Sequence, residues 1–445
     1  MNASAGGLAR VVRAVSVPVI FAEITETVVH VTDTAFLARV GTVEVGAIAI
    51  ADSILEIAIV LTLGLVDGMQ ILLARRLGQR RKRDAGQVFH LGLALLTGLS
   101  LLLTAALLLV SPWVTRLLVG SHEVRAATDA FLGIIAFTIV FNSANMAYSA
   151  LLVGLARARA LIAAAGVLAV VNLVLDYLLV FGKFGLPAMG IRGAALGSLI
   201  AEIACCAFLT VYVVRLPGVR GLRLFRQFSW NPRLARVLTR ISWPVVLQGT
   251  VEAGRWFAFF LILEHIGEGA LAASNLVYSC YIVLRIPTEG YAEATCSLVS
   301  RLIGAGRSSA IDRLIRTVLS PTYAITLPFV AIAFLFPGFV LSLLTSDPAV
   351  VRASESSLRV LAVAMLVVIP GEMWYAALAG TGDTRATFAI EGVLSLVILA
   401  GSYLAVLVLG LGIEFVWMSI LAAWGVCLAL SYLWMRAGYW KRLEI

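Results

Sequence analysis

The sequence predicts an all-α integral membrane protein, with twelve transmembrane helices in two six-helix bundles related by a pseudo-twofold axis. Three observations carry that expectation. Of 445 residues, 61% are hydrophobic and 13% charged, and the mean hydropathy is +0.99, far above what a water-soluble chain of this length sustains. Apolar runs of about 20 residues, the length that crosses the hydrocarbon core of a bilayer, recur twelve times. The chain also matches itself at one fixed offset.

The apolar runs fall near residues 11 to 37, 45 to 73, 87 to 110, 129 to 153, 160 to 181, 193 to 214, 241 to 265, 271 to 299, 317 to 340, 355 to 379, 386 to 410 and 414 to 435. Several exceed the minimum length, which allows tilt or kinks. Arg10 and Arg13 precede the first run as in a signal peptide, but Glu23 and Glu26 interrupt it and no small-residue cleavage site follows, so it reads as a mature first helix.

Charge sets the orientation. The formal net charge of +9 could suggest nucleic acid as a partner, but the basic residues sit in short loops between spans. With the amino terminus inside, 25 of the 34 Lys and Arg fall in cytoplasmic segments, seven in outer loops and two, Arg255 and Arg285, within spans. The positive-inside rule then places both termini in the cytoplasm, in the inner membrane of the cell, with the lipid bilayer as partner and no nucleic acid. Cys205, Cys206, Cys280, Cys296 and Cys427 all lie in apolar spans without metal-ligand spacing, and read as small core residues.

Shifting the chain by 226 residues without a gap brings Ser16 and Pro18 onto Ser242 and Pro244, Glu26 onto Glu252, Gly64 onto Gly290, Arg75 onto Arg301 and Arg159 onto Arg385. A shared offset at equivalent helix and loop positions indicates duplication. Six spans per half is an even number, so both halves insert the same way up, about an axis along the membrane normal. The domain reading is an amino-terminal lobe over 1–214, a basic cytoplasmic linker over 215–240 and a carboxy-terminal lobe over 241–445. Two such bundles over a central cleft suit alternating access.

Polar residues inside spans point to the working parts. Glu23, Glu26, His30 and Asp33 share one face of the first span, within an arc of roughly 80° at 3.6 residues per turn. Charges facing lipid are costly, so a stripe this narrow faces protein interior or a water-filled cavity. Pro18 precedes it and permits a kink. Asn172 and Asp176 share a face of span five, and Asn142 and Asn145 lie together in span four. Interhelical hydrogen bonds would explain the asparagines equally well; Asp176 needs a proton or a cation. Glu252 with Arg255, and Arg285 with Glu289, have the spacing of intrahelical ion pairs, while Glu252 is also the repeat mate of Glu26. Asp52, Glu56, Asp67, Glu202, Glu372 and Glu391 are isolated acids that the sequence does not rank.

These segments resemble the multidrug and toxic compound extrusion (MATE) family of the MOP superfamily. NLVLDYLLVFGKFGLPAMGIRGAALGS is similar to its span five to six signature, TDTAFLARVG to the end of its first span, ARRLGQ and SRLIGAG to its repeated cytoplasmic loops, and AALAGTGDTRAT to the loop after span ten. The acid at position 33 with the TDTA and GTGDTR segments is closest to the DinF-like branch. The resemblance implies a coupling-ion site at Asp33, Asn172 and Asp176, able to hold H+ or Na+, with Ser198 as its hydroxyl residue. It implies a bend of the first helix at Pro18, and a cleft wall that includes Glu26, Asn142 and Asn145. Glu252 matches the span-seven acid of NorM-like and eukaryotic members, and with acids in both halves the resemblance does not single out which half couples. Arg75, Arg76 and Arg301 stand near where the family usually has Gln, and His30 is a departure.

The expectation is a monomeric, non-enzymatic antiporter that exports small lipophilic or cationic organic compounds in exchange for H+ or Na+ and needs no other cofactor. A flippase for lipid-linked oligosaccharide or peptidoglycan precursors is the alternative within the same superfamily. It would need a cleft lined by Arg or Lys to hold a pyrophosphate, whereas these spans contain mainly acids. An intramembrane enzyme would need a nucleophile and base in register, and neither G-x-S-x-G nor H-E-x-x-H occurs. A passive channel fits less well with unpaired acids in a duplicated bundle.

Overall fold

Inside hydrocarbon no water is available to the backbone, so each apolar run must close its hydrogen bonds within itself, and a helix is the open-chain way to do so. A computed structural model describes residues 5–217, 219–224 and 230–443, and among these it contains helices and no strand. The elements are α1 (Ala5–Ala38), α2 (Thr42–Gly78), α3 (Lys82–Leu118), α4 (His122–Ile135), α5 (Thr138–Gly154), α6 (Arg159–Phe181), α7 (Ile191–Arg215), α8 (Pro232–Glu264), α9 (Glu268–Gly304), α10 (Ile311–Leu335), α11 (Pro337–Ser342), α12 (Pro348–Gly380), α13 (Thr384–Tyr403) and α14 (Ile413–Ala437).

Ten of these helices are long and apolar enough to cross a membrane, and α4 with α5 forms an eleventh span bent by 45°. The 34-residue α1 completes the twelve. The span expected over 129–153 is therefore broken at Ala136, where the buried Thr104 hydroxyl of α3 donates to the Ala136 carbonyl at 3.0 Å. A bend that loosens the helical ladder is tolerated in a bilayer when a side chain supplies the missing partner. The span expected over 317–340 breaks at Phe336, ahead of Pro337, and the span over 386–410 ends in a π-helical turn at Leu404–Val408.

The chain divides into two compact units, Val17–Ser242 and Met1–Ser16 with Trp243–Ile445. The border cuts α1 between Ser16 and Val17 and α8 between Ser242 and Trp243, in each case two residues before the helix proline, Pro18 or Pro244. Each proline lacks a backbone donor, which removes one hydrogen bond from that turn of its helix. Between the units' main helices the segment 215–240 contains a 3-10 turn at Val219–Leu222; the rest of that predicted linker lies partly outside the described residues.

In the unit Val17–Ser242, α6 and α7 form a tight hairpin. Gly182, at φ 64°, ends α6, and the loop folds back so that Met189 N–H donates to the Leu179 carbonyl at 2.8 Å. A Cβ at Gly193 would meet the Leu179 carbonyl carbon and oxygen at 2.7 Å, so only glycine lets α7 come this close to α6. The Gly-Ala-Ala segment thereby fixes the register between the two helices. In the other unit α12 is the central helix, packed against α9, α10 and α14. Asp383 of the GTGDTR segment caps α13, accepting from the Ala386 N–H at 3.3 Å and from the Trp434 indole at 3.0 Å.

Candidate functional site

Asp33, Asn172, Asp176 and Ser198 come from α1, α6 and α7 and meet inside the unit Val17–Ser242. Asp176 and Asn172 are 0% and 1% exposed, four residues apart on the face of α6 that α7 covers. The Asn172 amide donates to the Ser198 hydroxyl at 3.2 Å, and that hydroxyl donates to Asp33 Oδ2 at 3.4 Å. Asp176 has Asp33 as its carboxylate neighbour. No protein donor meets Oδ1 or Oδ2 of Asp176, or Oδ1 of Asp33, and neither residue is in a salt bridge among the described residues. Two carboxylates side by side with three unpartnered oxygens present acceptors only.

Such a constellation suits a shared proton or a hard cation that prefers oxygen. No group of three or more His, Cys, Asp or Glu among the described residues is arranged to hold a metal ion. A sodium ion would rest on the two carboxylates with help from the Ser198 and Asn172 oxygens.

Seven residues before Asp33, roughly 10 Å along the helix axis, Glu26 faces a second polar site. It lines a cavity of about 120 Å³, solvent-accessible at Glu26 and bounded also by Asn142, Asn145, Met146, Ala165 and Glu202. That volume holds several water molecules. The Asn142 amide donates to Glu202 Oε1 at 3.0 Å, and the Asn145 amide to Oε2 at 2.6 Å and to the Glu202 carbonyl at 3.2 Å. The two asparagines thus hold Glu202 as a fixed acceptor at the cavity wall.

Glu202 was one of the unranked acids, yet it sits four residues after Ser198 on the same face of α7, a spacing that marks it once Ser198 is known to face inward. The rest of the α1 stripe has other neighbours. His30 Nδ1 approaches Asp52 Oδ2 at 3.8 Å, both partly exposed. Glu23 is half-buried one turn before Glu26.

The other unit treats its acids differently. Arg255 Nη2 pairs with Glu252 at 3.2 Å, and Nη1 with Glu391, and also donates to Ser395 at 3.3 Å. Arg285 pairs with Glu289 at 3.0 Å and Glu372 at 2.9 Å. The guanidinium of Arg255 lies 5.5 Å from the Trp256 ring centroid, and that of Arg285 5.3 Å from Tyr281 and 5.8 Å from Trp424. Glu252 therefore shares Arg255 with Glu391 rather than standing as a lone acid, and Glu372 shares Arg285 with Glu289. Among the described residues of the unit Val17–Ser242, no Lys or Arg forms a salt bridge with Asp33, Asp176, Glu26 or Glu202.

Two duplicated helical bundles spanning the bilayer, one enclosing acids that lack cationic partners, define a multi-pass membrane transporter. The MatE family model matches residues 18–178 and 244–404, two stretches displaced by 226 residues, and the chain belongs to that family of membrane transporters. Among its relatives is a probable multidrug resistance protein NorM of Thermotoga maritima, 24% identical over 79% of this chain and 75% of that protein. A MOP superfamily transporter of Pyrococcus furiosus has the same fold, with a TM-score of 0.89 at 21% identity over 98% of this chain and 97% of that one. A point mutant of the Vibrio cholerae MATE transporter VcmN superposes at a TM-score of 0.90 with 17% identity, over 98% of each chain.

Proposed function

We propose that the protein is a secondary active exporter of organic, often cationic, compounds, which leave the cell in exchange for H+ or Na+ by alternating access. The observation that carries this reading is the Asp33–Asp176 pair, enclosed by helices yet without a basic partner. Adjacent ionised carboxylates repel one another, so the pair calls for a proton or a cation between them. The name of the NorM relatives, multidrug resistance protein, supports efflux as the direction of transport.

In this mechanism an ion enters from outside and occupies Asp33 and Asp176. The stripe on α1 links that event to the Glu26 wall two turns away, and bending at Pro18 reshapes the cavity so that cargo is released outward. The ion then leaves toward the cytoplasm. Each ligand shifts the equilibrium only by its difference in affinity for the two states. A membrane potential adds about 2.3 kcal/mol per charge per 100 mV, enough to drive useful accumulation.

The ion-pair network of the other unit argues against a flippase. A lipid-linked pyrophosphate needs guanidinium groups free to receive it, and Arg255 and Arg285 are each engaged by two carboxylates.

Efflux of a fluorescent organic cation from vesicles under imposed pH or sodium gradients tests the proposal. Gradient-dependent movement of the dye, with counterflow of the ion, is expected. Movement indifferent to both gradients, or ion leak without cargo, overturns it.

A further inference from the structure

The internal repeat allows one half of the protein to show what the other half is shaped to receive. Residues lining the cavity of the unit Val17–Ser242 include Glu26, Met146, Ser149 and Ala165. Their counterparts 226 residues on are Glu252, Glu372, Tyr375 and Glu391. Those three glutamates hold the protein's own guanidinium groups, Arg255 against Glu252 and Glu391 and Arg285 against Glu372, with Tyr375 donating to Glu391 at 3.5 Å. The position equivalent to Arg255 in the amino-terminal half is Val29, and that equivalent to Arg285 is Ile59. Glu252 is thus held by an arginine, whereas its repeat mate Glu26 lines a cavity and has a valine where that arginine would stand.

We infer that the open cavity is a binding site for a guanidinium or amidinium group carried by an organic molecule. Glu26 and Glu202 supply the negative charge. Asn142 and Asn145 fix Glu202 through both carboxylate oxygens, and each oxygen keeps a further lone pair for an incoming N–H. A planar fork of donors matches a fixed carboxylate better than a spherical ammonium does, and a quaternary ammonium has no donor to offer. The apolar wall of Met146, Leu161, Leu168 and Leu209 covers whatever hydrophobic group the fork carries. This assignment deepens the proposed function by naming the cargo class of that site, and it rests on the reading of the cavity as facing cargo.

The test is equilibrium binding to the purified full-length protein with no ion gradient, using phenylguanidine and benzamidine against benzylamine and benzyltrimethylammonium. The two forked cations should bind about tenfold or more tightly than the other two. Glu26→Gln and Glu202→Gln should each weaken them about ten- to a hundredfold. Val29→Arg, which installs in this half the side chain that holds Glu252 in the other, should abolish binding, and it tests the site even if Glu202→Gln fails to fold. Equal affinity for all four cations, or unchanged binding in both Glu26→Gln and Val29→Arg, overturns the inference. Ion coupling plays no part in this measurement: binding without coupled efflux would remove the proposed antiport and leave this site standing, and gradient-driven efflux without forked-cation binding would do the reverse.

Discussion

Gly197 stands where any side chain would overlap Asp176: a Cβ there would lie 2.1 Å from Asp176 Oδ1. The glycine leaves room for the carboxylate between α6 and α7, beside Asp33. Gly197→Ala should therefore displace Asp176 and reduce gradient-driven efflux about tenfold or more, because a positioned group tolerates little displacement. Efflux from vesicles, beside the amount of protein in the membrane, checks this; normal efflux with an alanine at 197 would show that Asp176 needs no such room.

The carboxylate pair itself gives the sharpest expectation. Asp33→Asn and Asp176→Asn each remove one of the two charges while keeping the shape, so coupled efflux should vanish in both with insertion intact. Combining them should cost no more than either alone, since the pair acts as a unit. Transport surviving in both single variants would sink the assignment.

Ser198 relays between Asn172 and Asp33 through a single hydroxyl. Removing it in Ser198→Ala loses hydrogen bonds of about 1 kcal/mol each, and ion affinity should fall about fivefold to tenfold. Ser198→Thr keeps the hydroxyl and should stay near the wild type. Ion titration of substrate counterflow separates the two outcomes.

Arg255 and Glu391 are 5% and 8% exposed, so breaking their pair leaves a buried charge without a partner. Arg255→Gln should destabilise the protein by about 3–5 kcal/mol, and adding Glu391→Gln should recover much of that loss. Thermal unfolding in detergent measures both. A single variant as stable as the wild type would mean that the network contributes nothing.

Orientation is open to labelling. In a chain with its five cysteines replaced by alanine, a new cysteine at Gln79 should be shielded in intact cells from a membrane-impermeant maleimide. One at Gly185, in the loop after α6, should be labelled. The reverse pattern would place the amino terminus outside.

Much of this architecture was legible in the linear chain. Hydropathy has a length scale set by the bilayer, so the twelve apolar runs each fall on helices, and the duplication shows as one offset because no insertion separates the halves. The pairing of Asp33 with Asn172 and Asp176 was readable only as a resemblance, since residues more than 130 apart carry no periodicity linking them. The breaks at Ala136 and Phe336 escaped because an apolar run has the same composition whether its helix is straight or bent.

The sequence by itself determined the class of the protein, the number of its spans and the acidic face of α1, since these follow from local composition and helical period. Only the tertiary structure decided which acids remain open and which are neutralised. Glu26 and Glu252 occupy equivalent places in the repeat, yet one lines a cavity and the other is bound by Arg255. That difference arises because a charge in a bilayer is governed by what the neighbouring helices present to it, and those neighbours are chosen by packing across the fold rather than by order along the chain.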